Sequence, residues 1–398
     1  MDRRRLLQLM AAAPLALGGS RLYAAPAASD NRLLVVFMRG AYDAASLLVP
    51  TASEFYYESR PTIAVPRPGG GPGAALPLAD GWALHPALAE SLLPFYERRQ
   101  LAFVPFAGTE DTSRSHFKTQ NGIELGQGGA AGGDYRSGFL NRLTTALGGK
   151  AAQSAAFTSE VPQIFRGDAR VPNIDLIGAG RKSRLNSDDN RAIESMYQHT
   201  DLHASVAEGQ RIMGAAREEI EAEMQAASGS AVSADKLEQE VRRIARFMVD
   251  RYNLGFVDVG GWDTHVGQGA ASGLLANRLG QLGRALAAYA DAMGPAWRQT
   301  TVVVISEFGR TFRENGNKGT DHGHGTVYWV MGGNVQGGRI AGRQVEVKRD
   351  ALFQDRDYPV LNEYRSVFAG LFSRLYGLDR ARLAQVFPGV APLDLKLV

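Results

Sequence analysis

A nearly continuous run of β-branched residues, TTVVVISEFGRT at 300–311, constrains the fold more than any other segment. An apolar run of this length without regular polar interruptions predicts a strand buried on both faces, as parallel strands are in α/β proteins. Similar runs are RLLVVFMRG at 32–40, QLAFVPFAG at 100–108, LGFVDVGG at 254–261 and TVYWVMGG at 326–333. Helical patterns lie between them. The sequence therefore predicts an α/β fold with a central, mostly parallel or mixed sheet between helices.

The composition limits the class of protein. Of the 398 residues, 44% are hydrophobic, which is enough for a large core. The net charge is only +3 and no basic stripe is interleaved with aromatic residues, so nothing favours nucleic-acid binding. The lack of cysteine excludes disulfides, thiolate metal sites and a cysteine nucleophile. The Gly-x-Ser-x-Gly elbow and the phosphate-loop motif are missing as well, which argues against an α/β-hydrolase and a nucleotide-binding enzyme.

The first 28 residues predict export. DRRRLLQ, a modest apolar stretch and AAPAA follow the order of a secretory signal, and the arginine pair is typical of the twin-arginine type. We therefore expect a periplasmic or secreted protein that is carried by the twin-arginine export machinery. No later window approaches the roughly 18 apolar residues of a membrane span. Residues 29–398 are expected to form a single domain, with a polar helical insertion at about 186–251.

Polar clusters follow the predicted strands at their carboxyl ends, where open α/β sheets place ligands. The clusters contain Asp43; Ser113, Ser115 and His116; Asp258, Asp263 and His265; and Ser306, Glu307 and Arg310. The loop GTDHGHGT at 319–326 adds Asp321, His322 and His324 just before another strand. Carboxylates and imidazoles without thiols suit a divalent ion such as zinc, manganese, magnesium or calcium. The clusters together would supply enough ligands for two ions.

Each cluster also has a structural interpretation. Asp263 could accept backbone N–H groups in a turn. Ser115 could cap the helix that follows it, although a helix start also suits an anionic ester. Glu307 at the end of a buried strand needs a partner, for which Arg310 or a metal would serve. Three histidines without neighbouring carboxylate clusters are interpreted as structural: His85, His199 and His203.

Several motifs occur in a familiar order. The arginine-pair leader, VVFMRGAYDAAS, RSHF, GWDTH, SEFGRT and TDHGHGTVYWVMGG resemble a widespread bacterial family known as domain of unknown function 1501, over nearly the whole mature chain. That family is grouped with the alkaline phosphatase and sulfatase superfamily, whose fold is a mixed sheet between helices. The resemblance implies an exported metal-dependent hydrolase of a phosphate or sulfate ester. Its substrate would be a small anionic ester or a glycan-linked ester.

The superfamily's two-metal pattern implies these metal ligands: Asp43, Asp263, His265, Glu307, His322 and His324. Where the pattern has a second Asp-His pair, this chain has Glu307 and Phe308, so one histidine ligand is missing. His324 or His116 would have to take its place. Which of His322 and His324 faces the site stays open.

The same pattern implies the reacting groups. The nucleophile matches Ser115 or Ser113, His116 lies beside these serines, and Arg310 would orient the anion. The missing histidine supports an alternative of another class. In that alternative the protein is a non-catalytic binding or assembly protein that keeps the fold with a degenerate metal site, and its polar helices at 186–251 contact a partner.

Overall fold

The computed structural model of the protein describes residues 30–128, 136–148, 152–176, 192–193, 195–211 and 236–398. The leader predicted at 1–28 lies outside these residues, as do parts of the predicted insertion, including 212–235. The single-domain organisation stays a prediction. Of the helices in the described part, none is long and apolar enough to cross a membrane.

The described chain forms two sheets. The strands are β1 Arg32–Met38, β2 Leu48–Pro50, β3 Leu76–Pro77, β4 Trp82–Leu84, β5 Leu101–Gly108, β6 Ser154–Ala156, β7 Leu254–Val259, β8 Thr300–Ser306, β9 Thr326–Gly332, β10 Arg339–Ile340 and β11 Asn362–Glu363. The large sheet has the order β10-β5-β9-β8-β1-β7-β6, and β11 also pairs with β5. A small sheet has the order β2-β4-β3. The predicted fold class, a mixed and mostly parallel central sheet with flanking helices, is confirmed.

Strand β9 is the reversed strand of the large sheet. It runs antiparallel to both β5 and β8, whereas β1, β6, β7 and β8 are mutually parallel. Its amino end therefore lies at the edge where β1, β5, β7 and β8 have their carboxyl ends. This reversal brings the loop at 319–326, which precedes β9, to the same edge as the polar clusters that follow the parallel strands.

The sheet is buried on both faces, which explains its continuous apolar runs. In β1, Leu34 and Val36 belong to one hydrophobic core, and Leu33 and Val35 belong to the other. Successive side chains of a strand point to opposite faces, so both faces need apolar residues. A central strand of this sheet therefore has no solvent-facing side, and its polar residues are confined to its ends.

Helices cover both faces of the sheet. They are Ala44–Leu47, Glu54–Ser59, Leu93–Glu97, His116–Leu125, Phe139–Leu147, Lys236–Asp250, Leu274–Met293, Tyr364–Tyr376 and Arg380–Val386, with 3-10 turns at Pro86–Leu88, Gln163–Phe165, Gly294–Gln299 and Arg349–Ala351. Helix Lys236–Asp250 contributes Ile244 and Met248 to the core that contains Leu34. This part of the predicted insertion is therefore packed on the sheet.

Candidate metal centre

Four segments meet at the carboxyl edge of the sheet. His116 is the first residue of the helix that follows β5, and Asp263 and His265 lie in the loop after β7. Glu307 directly follows β8, and His322 lies in the loop before β9. The segments are far apart in sequence, and the strand order of the sheet brings them together.

Three imidazole rings converge on one carboxylate. Nε2 of His322 lies 2.9 Å from Nε2 of His116 and 3.1 Å from Nε2 of His265. The Asp263 carboxylate lies 2.9 Å from Nε2 of His265, 3.3 Å from Nε2 of His322 and 3.5 Å from Nε2 of His116. His116, Asp263 and His322 form a group that could hold a metal ion, and His265 adjoins it. We call these four residues the histidine cluster.

The other nitrogen of each ring faces an acceptor outside the cluster. Nδ1 of His116 lies 2.7 Å from Oε1 of Glu307, and Nδ1 of His265 lies 3.2 Å from Oδ1 of Asp321. Nδ1 of His322 lies 3.0 Å from the carbonyl oxygen of Arg114. Since carboxylates and carbonyls only accept, each Nδ1 carries the proton.

This tautomer decides what the cluster can bind. A ring with its proton on Nδ1 and none on Nε2 has a lone pair on Nε2, so the lone pair of His322 would face those of His116 at 2.9 Å and His265 at 3.1 Å. Such an arrangement is repulsive unless a proton or a cation lies between the nitrogens. Ligands at the usual zinc distances of about 2.0–2.1 Å are about 3.3 Å apart in a tetrahedron. The residues present therefore fit a metal ion, with outer acceptors orienting the rings as in known metal sites.

Glu307 is the outer partner of His116. Its side chain is fully buried, and Oε1 also accepts the backbone N–H of Gly40 and the amide of Gln120, both at 2.8 Å. The hydroxyl of Ser306 donates to Oε2 at 2.9 Å. Burial alone would raise the pKa of Glu307, but the hydrogen bonds outweigh it and hold the pKa below its ordinary value. The carboxylate predicted to bind metal is thus placed behind the histidine, where its hydrogen bond raises the pKa of His116.

Arg310 is the partner of Asp263. Its Nη1 lies 2.5 Å from Oδ1 of Asp263, and its side chain is completely buried. Burial alone would raise the pKa of Asp263, but the hydrogen bond and charge of Arg310 lower it, so the carboxylate is ionised. The guanidinium predicted to orient a substrate anion is therefore turned towards Asp263. Burial lowers the pKa of His322, which keeps that ring neutral.

The structure places Asp43 outside the histidine cluster. Its carboxylate pairs with the buried guanidinium of Arg60 at 2.5 Å and 3.0 Å, and it accepts Ser46 at 2.7 Å and Gln268 at 2.6 Å. Burial opposes ionisation, but the charge of Arg60 prevails and the pKa of Asp43 is lowered. An arginine is the expected neutralising partner for a buried carboxylate, and this one lies 17 residues away in the chain.

His322 joins the histidine cluster, and His324 does not. The ring of His324 is packed against Phe353 with a centroid distance of 4.7 Å. Burial lowers its pKa to about 4. Between the two histidines, Gly323 lies so close to the backbone of Arg310 that a side chain at this position would overlap it. The loop therefore lies directly against the backbone of Arg310, and of the two histidines His322 is the one that faces the site.

The candidate nucleophiles lie next to the cluster in sequence. Ser115 is the N-terminal cap residue of helix His116–Leu125, and in the described chain its hydroxyl makes no capping hydrogen bond. The hydroxyl of Ser113 donates to Asp111 at 2.9 Å in an exposed loop. The hydroxyl of Ser113 is thus engaged by Asp111, whereas the hydroxyl of Ser115, directly before His116, makes no capping hydrogen bond.

Some site residues escaped the sequence analysis. Arg114 has a positive φ of 52°, its carbonyl oxygen accepts a hydrogen bond from Nδ1 of His322, and no sequence pattern indicates this contact. Gln120 lies four residues after His116 in the same helix, a spacing that places both on one face and that could have indicated their shared contact with Glu307.

Comparisons with known proteins place the chain in context. A family model described as "Protein of unknown function (DUF1501)" matches residues 30–387. No curated protein matches the chain.

Two solved structures are similar to the chain. One is a protein in the alkaline phosphatase superfamily from Vibrio parahaemolyticus, with 12% identity, a TM-score of 0.42 and coverage of 94% of this chain and 76% of that chain. The other is Ps i-CgsB in complex with k-i-k-neocarrahexaose, with 9% identity, a TM-score of 0.38 and coverage of 92% of this chain and 75% of that chain.

Proposed function

The chain belongs to the DUF1501 family of proteins of unknown function, and we propose that it is an exported metal-dependent hydrolase acting on a phosphate or sulfate ester. The observation that carries the proposal is the convergence of three Nε2 atoms and the Asp263 carboxylate. The side chains of His116, His322 and His265 are 22%, 27% and 40% exposed, so the cluster is open to a substrate.

The ligand atoms favour particular ions. The imidazole nitrogens of His116 and His322 with the Asp263 carboxylate, and His265 beside them, suit zinc, whereas manganese, magnesium and calcium prefer oxygen ligands. The charged side chains in or next to the cluster are the carboxylates of Asp263, Glu307 and Asp321 and the guanidinium of Arg310. Their net charge is negative, and it attracts a cation. When bound, the ion would supply a Lewis acid that stabilises the negative charge developing on the ester oxygens.

The chain's own residues would orient the ligands and attack the ester. Glu307 holds the Nδ1 proton of His116, and Arg310 keeps Asp263 ionised. We assign the attack to the hydroxyl of Ser115, which lies at the start of a helix next to His116. Its oxygen would bond to the phosphorus or sulfur while the bond to the departing alcohol breaks, its proton would pass to the departing oxygen, and water would then release the anion from the serine. The amide N–H groups of that helix start would help to hold the anionic ester.

The test uses metal content and turnover together. Full-length protein is produced in a bacterium with a twin-arginine pathway, and mature protein is purified from the periplasm. We expect about one zinc ion per chain and hydrolysis of an aryl phosphate or an aryl sulfate. His322→Ala should lose the ion and the turnover, while His324→Ala, two residues away and outside the cluster, should keep both. Wild-type protein without stoichiometric metal and without turnover on either ester would overturn the proposal.

Export has its own test. We propose that the arginine pair in DRRRLLQ directs the chain to the twin-arginine machinery. Replacing Arg4 and Arg5 by lysine should leave the protein in the cytoplasm in cell fractionation. Unchanged periplasmic accumulation would show that another route is used.

A non-catalytic binding or assembly protein is the second candidate function. The observation in its favour is that Asp43 and Glu307 are held by other protein groups, which leaves one ligand group in the described residues instead of a two-metal set. In that case turnover of both esters would be absent, with or without a bound ion. A partner captured by the wild type and equally by His322→Ala would support this candidate.

A further inference from the structure

A buried ion pair lies at one end of a hydrogen-bonded chain that leads to the histidine cluster. Arg60 and Asp43 are at most 1% exposed and are joined by two hydrogen bonds of 2.5 Å and 3.0 Å. The other N–H groups of Arg60 donate to the carbonyl oxygens of Thr311 and Phe312 and to the hydroxyl of Ser46. Every N–H of this guanidinium has an acceptor, so the position of the Asp43 carboxylate is fixed.

Asp43 determines the direction of the Gln268 amide. Nε2 of Gln268 donates to Oδ2 of Asp43 at 2.6 Å, and Oε1 accepts the hydroxyls of Thr264 at 2.8 Å and Thr320 at 3.0 Å. The opposite orientation would bring the amide oxygen against an ionised carboxylate, which has no proton to donate. Since Gln268 is fully buried, water does not compensate for a wrong orientation.

The orientation of the Gln268 amide determines how Thr320 binds Arg310. The Thr320 hydroxyl gives its proton to Gln268, so its oxygen accepts Nε–H of Arg310 at 3.2 Å. Nη2 of Arg310 donates to the carbonyl of Thr320 at 2.5 Å, and Nη1 donates to Asp263 at 2.5 Å. Thr320 therefore holds Arg310 by two bonds and leaves its third nitrogen for Asp263.

We propose that Asp43, Gln268 and Thr320 are positioning residues that set the Asp263 carboxylate for metal binding through Arg310. The inference rests on the proposed function in that it takes the histidine cluster as a metal centre. Asp263 is 41% exposed, and its carboxylate accepts a 2.5 Å hydrogen bond from Arg310, whose own side chain has no exposed surface. Asp43 thus acts on the metal centre through three intervening side chains, without touching the ion.

Two threonines provide a matched test. Thr264 and Thr320 are both buried and donate to the same oxygen of Gln268, but in this chain of contacts only the Thr320 side chain also accepts from Arg310. The dissociation constant of zinc is measured for the full mature protein by competition with a chromogenic chelator, and the melting temperature of the zinc-free protein is measured in parallel. We expect Thr320→Val to raise the zinc dissociation constant about tenfold or more. Thr264→Val should leave it unchanged, although both variants lower the zinc-free melting temperature.

Rescue separates positioning from folding. Thr320→Ser restores the hydroxyl and should restore the zinc dissociation constant. If Thr320→Val does not fold, Thr320→Ala and Thr264→Ala give the same comparison. Wild-type protein that binds zinc, together with equal zinc dissociation constants in the two valine variants, would overturn this inference and leave the proposed function intact. Wild-type protein that binds no zinc would overturn both.

Discussion

Nδ1 of His116 lies 2.7 Å from Oε1 of Glu307, so a fully buried carboxylate orients a ring whose other nitrogen faces His322. Glu307 immediately follows β8, and His116 begins the helix after β5. The strands between them place the pair at one edge of the sheet. The relationship makes Glu307 an outer partner of the proposed metal centre, and it can be tested directly.

Glu307→Gln should weaken metal binding. The glutamine keeps the size of the side chain but removes the negative charge that makes the His116 ring more basic. Loss of an outer partner typically costs about 10–100-fold in metal affinity, and we expect a loss in this range. The zinc dissociation constant measured by chelator competition checks it, with Glu54→Gln, an exposed surface carboxylate, as the control. An unchanged dissociation constant in Glu307→Gln would contradict the role of Glu307.

Asp43→Asn should destabilise the fold. The substitution leaves the buried guanidinium of Arg60 without an anion, and breaking a buried pair in this way costs about 3–5 kcal/mol. The double variant Asp43→Leu with Arg60→Met removes both charges and should cost less than Asp43→Asn alone. Urea unfolding of zinc-free protein, followed by circular dichroism, gives the free energies of unfolding. A double variant less stable than the single one would show that the pair itself stabilises the fold.

Gly40→Ala should disturb the cluster as well as the backbone. Gly40 has a φ of +116°, and a Cβ atom there would lie 2.9 Å from the backbone nitrogen of Asp263. Gly71 has a φ of +95° with no atom within 4 Å of such a Cβ, so Gly71→Ala reproduces the backbone strain alone. We expect both variants to lose stability, by about 1 kcal/mol or more. Only Gly40→Ala should also raise the zinc dissociation constant, and equal zinc binding in the two variants would refute the close contact.

His85 should make the stability depend on pH. Its Nδ1 accepts the N–H of Ala87 and its Nε2 donates to the carbonyl of Ala270, so the buried ring is neutral. Burial lowers the pKa of His85 below the ordinary 6.5. The unfolded chain then binds more protons than the folded one below pH 6.5, and the free energy of unfolding falls as the pH decreases towards the lowered pKa.

His85→Asn provides the comparison, because asparagine keeps a capping acceptor for Ala87 and does not titrate. The difference in free energy of unfolding between wild type and variant is measured by urea unfolding at pH 7.5, 6.5 and 5.5. As the pH falls, the free energy of unfolding of the wild type should decrease relative to that of His85→Asn. A difference that does not change with pH would show that His85 does not contribute to the acid sensitivity.

Much of the scaffold was predictable from the sequence. The run at 300–311 contains β8, whose residues are buried on both faces, and the polar residues Glu307 and Arg310 follow it as predicted. Local pattern suffices here because a buried strand needs apolar side chains on both faces and can accept polar ones only at its ends. Family membership and the class of fold followed from the same motifs.

The roles within the site were not predictable in this way. The sequence pattern predicts Asp43 and Glu307 as metal ligands. In the structure the carboxylate of Asp43 binds Arg60 and that of Glu307 binds His116, and both partners belong to other elements. Sequence spacing says which residues share a face of one element, but it contains no information about which remote charge will neutralise a buried carboxylate.

The sequence by itself determined the strands, the family and the segments from which the site is built. The tertiary structure decided that His322 joins His116 and His265 while His324 packs against Phe353. The loop at 319–326 reaches the carboxyl edge of the sheet because strand β9 between β5 and β8 is reversed, and Gly323 against the backbone of Arg310 separates the two histidines. Contacts across that edge depend on strand order and direction, which are properties of the folded chain.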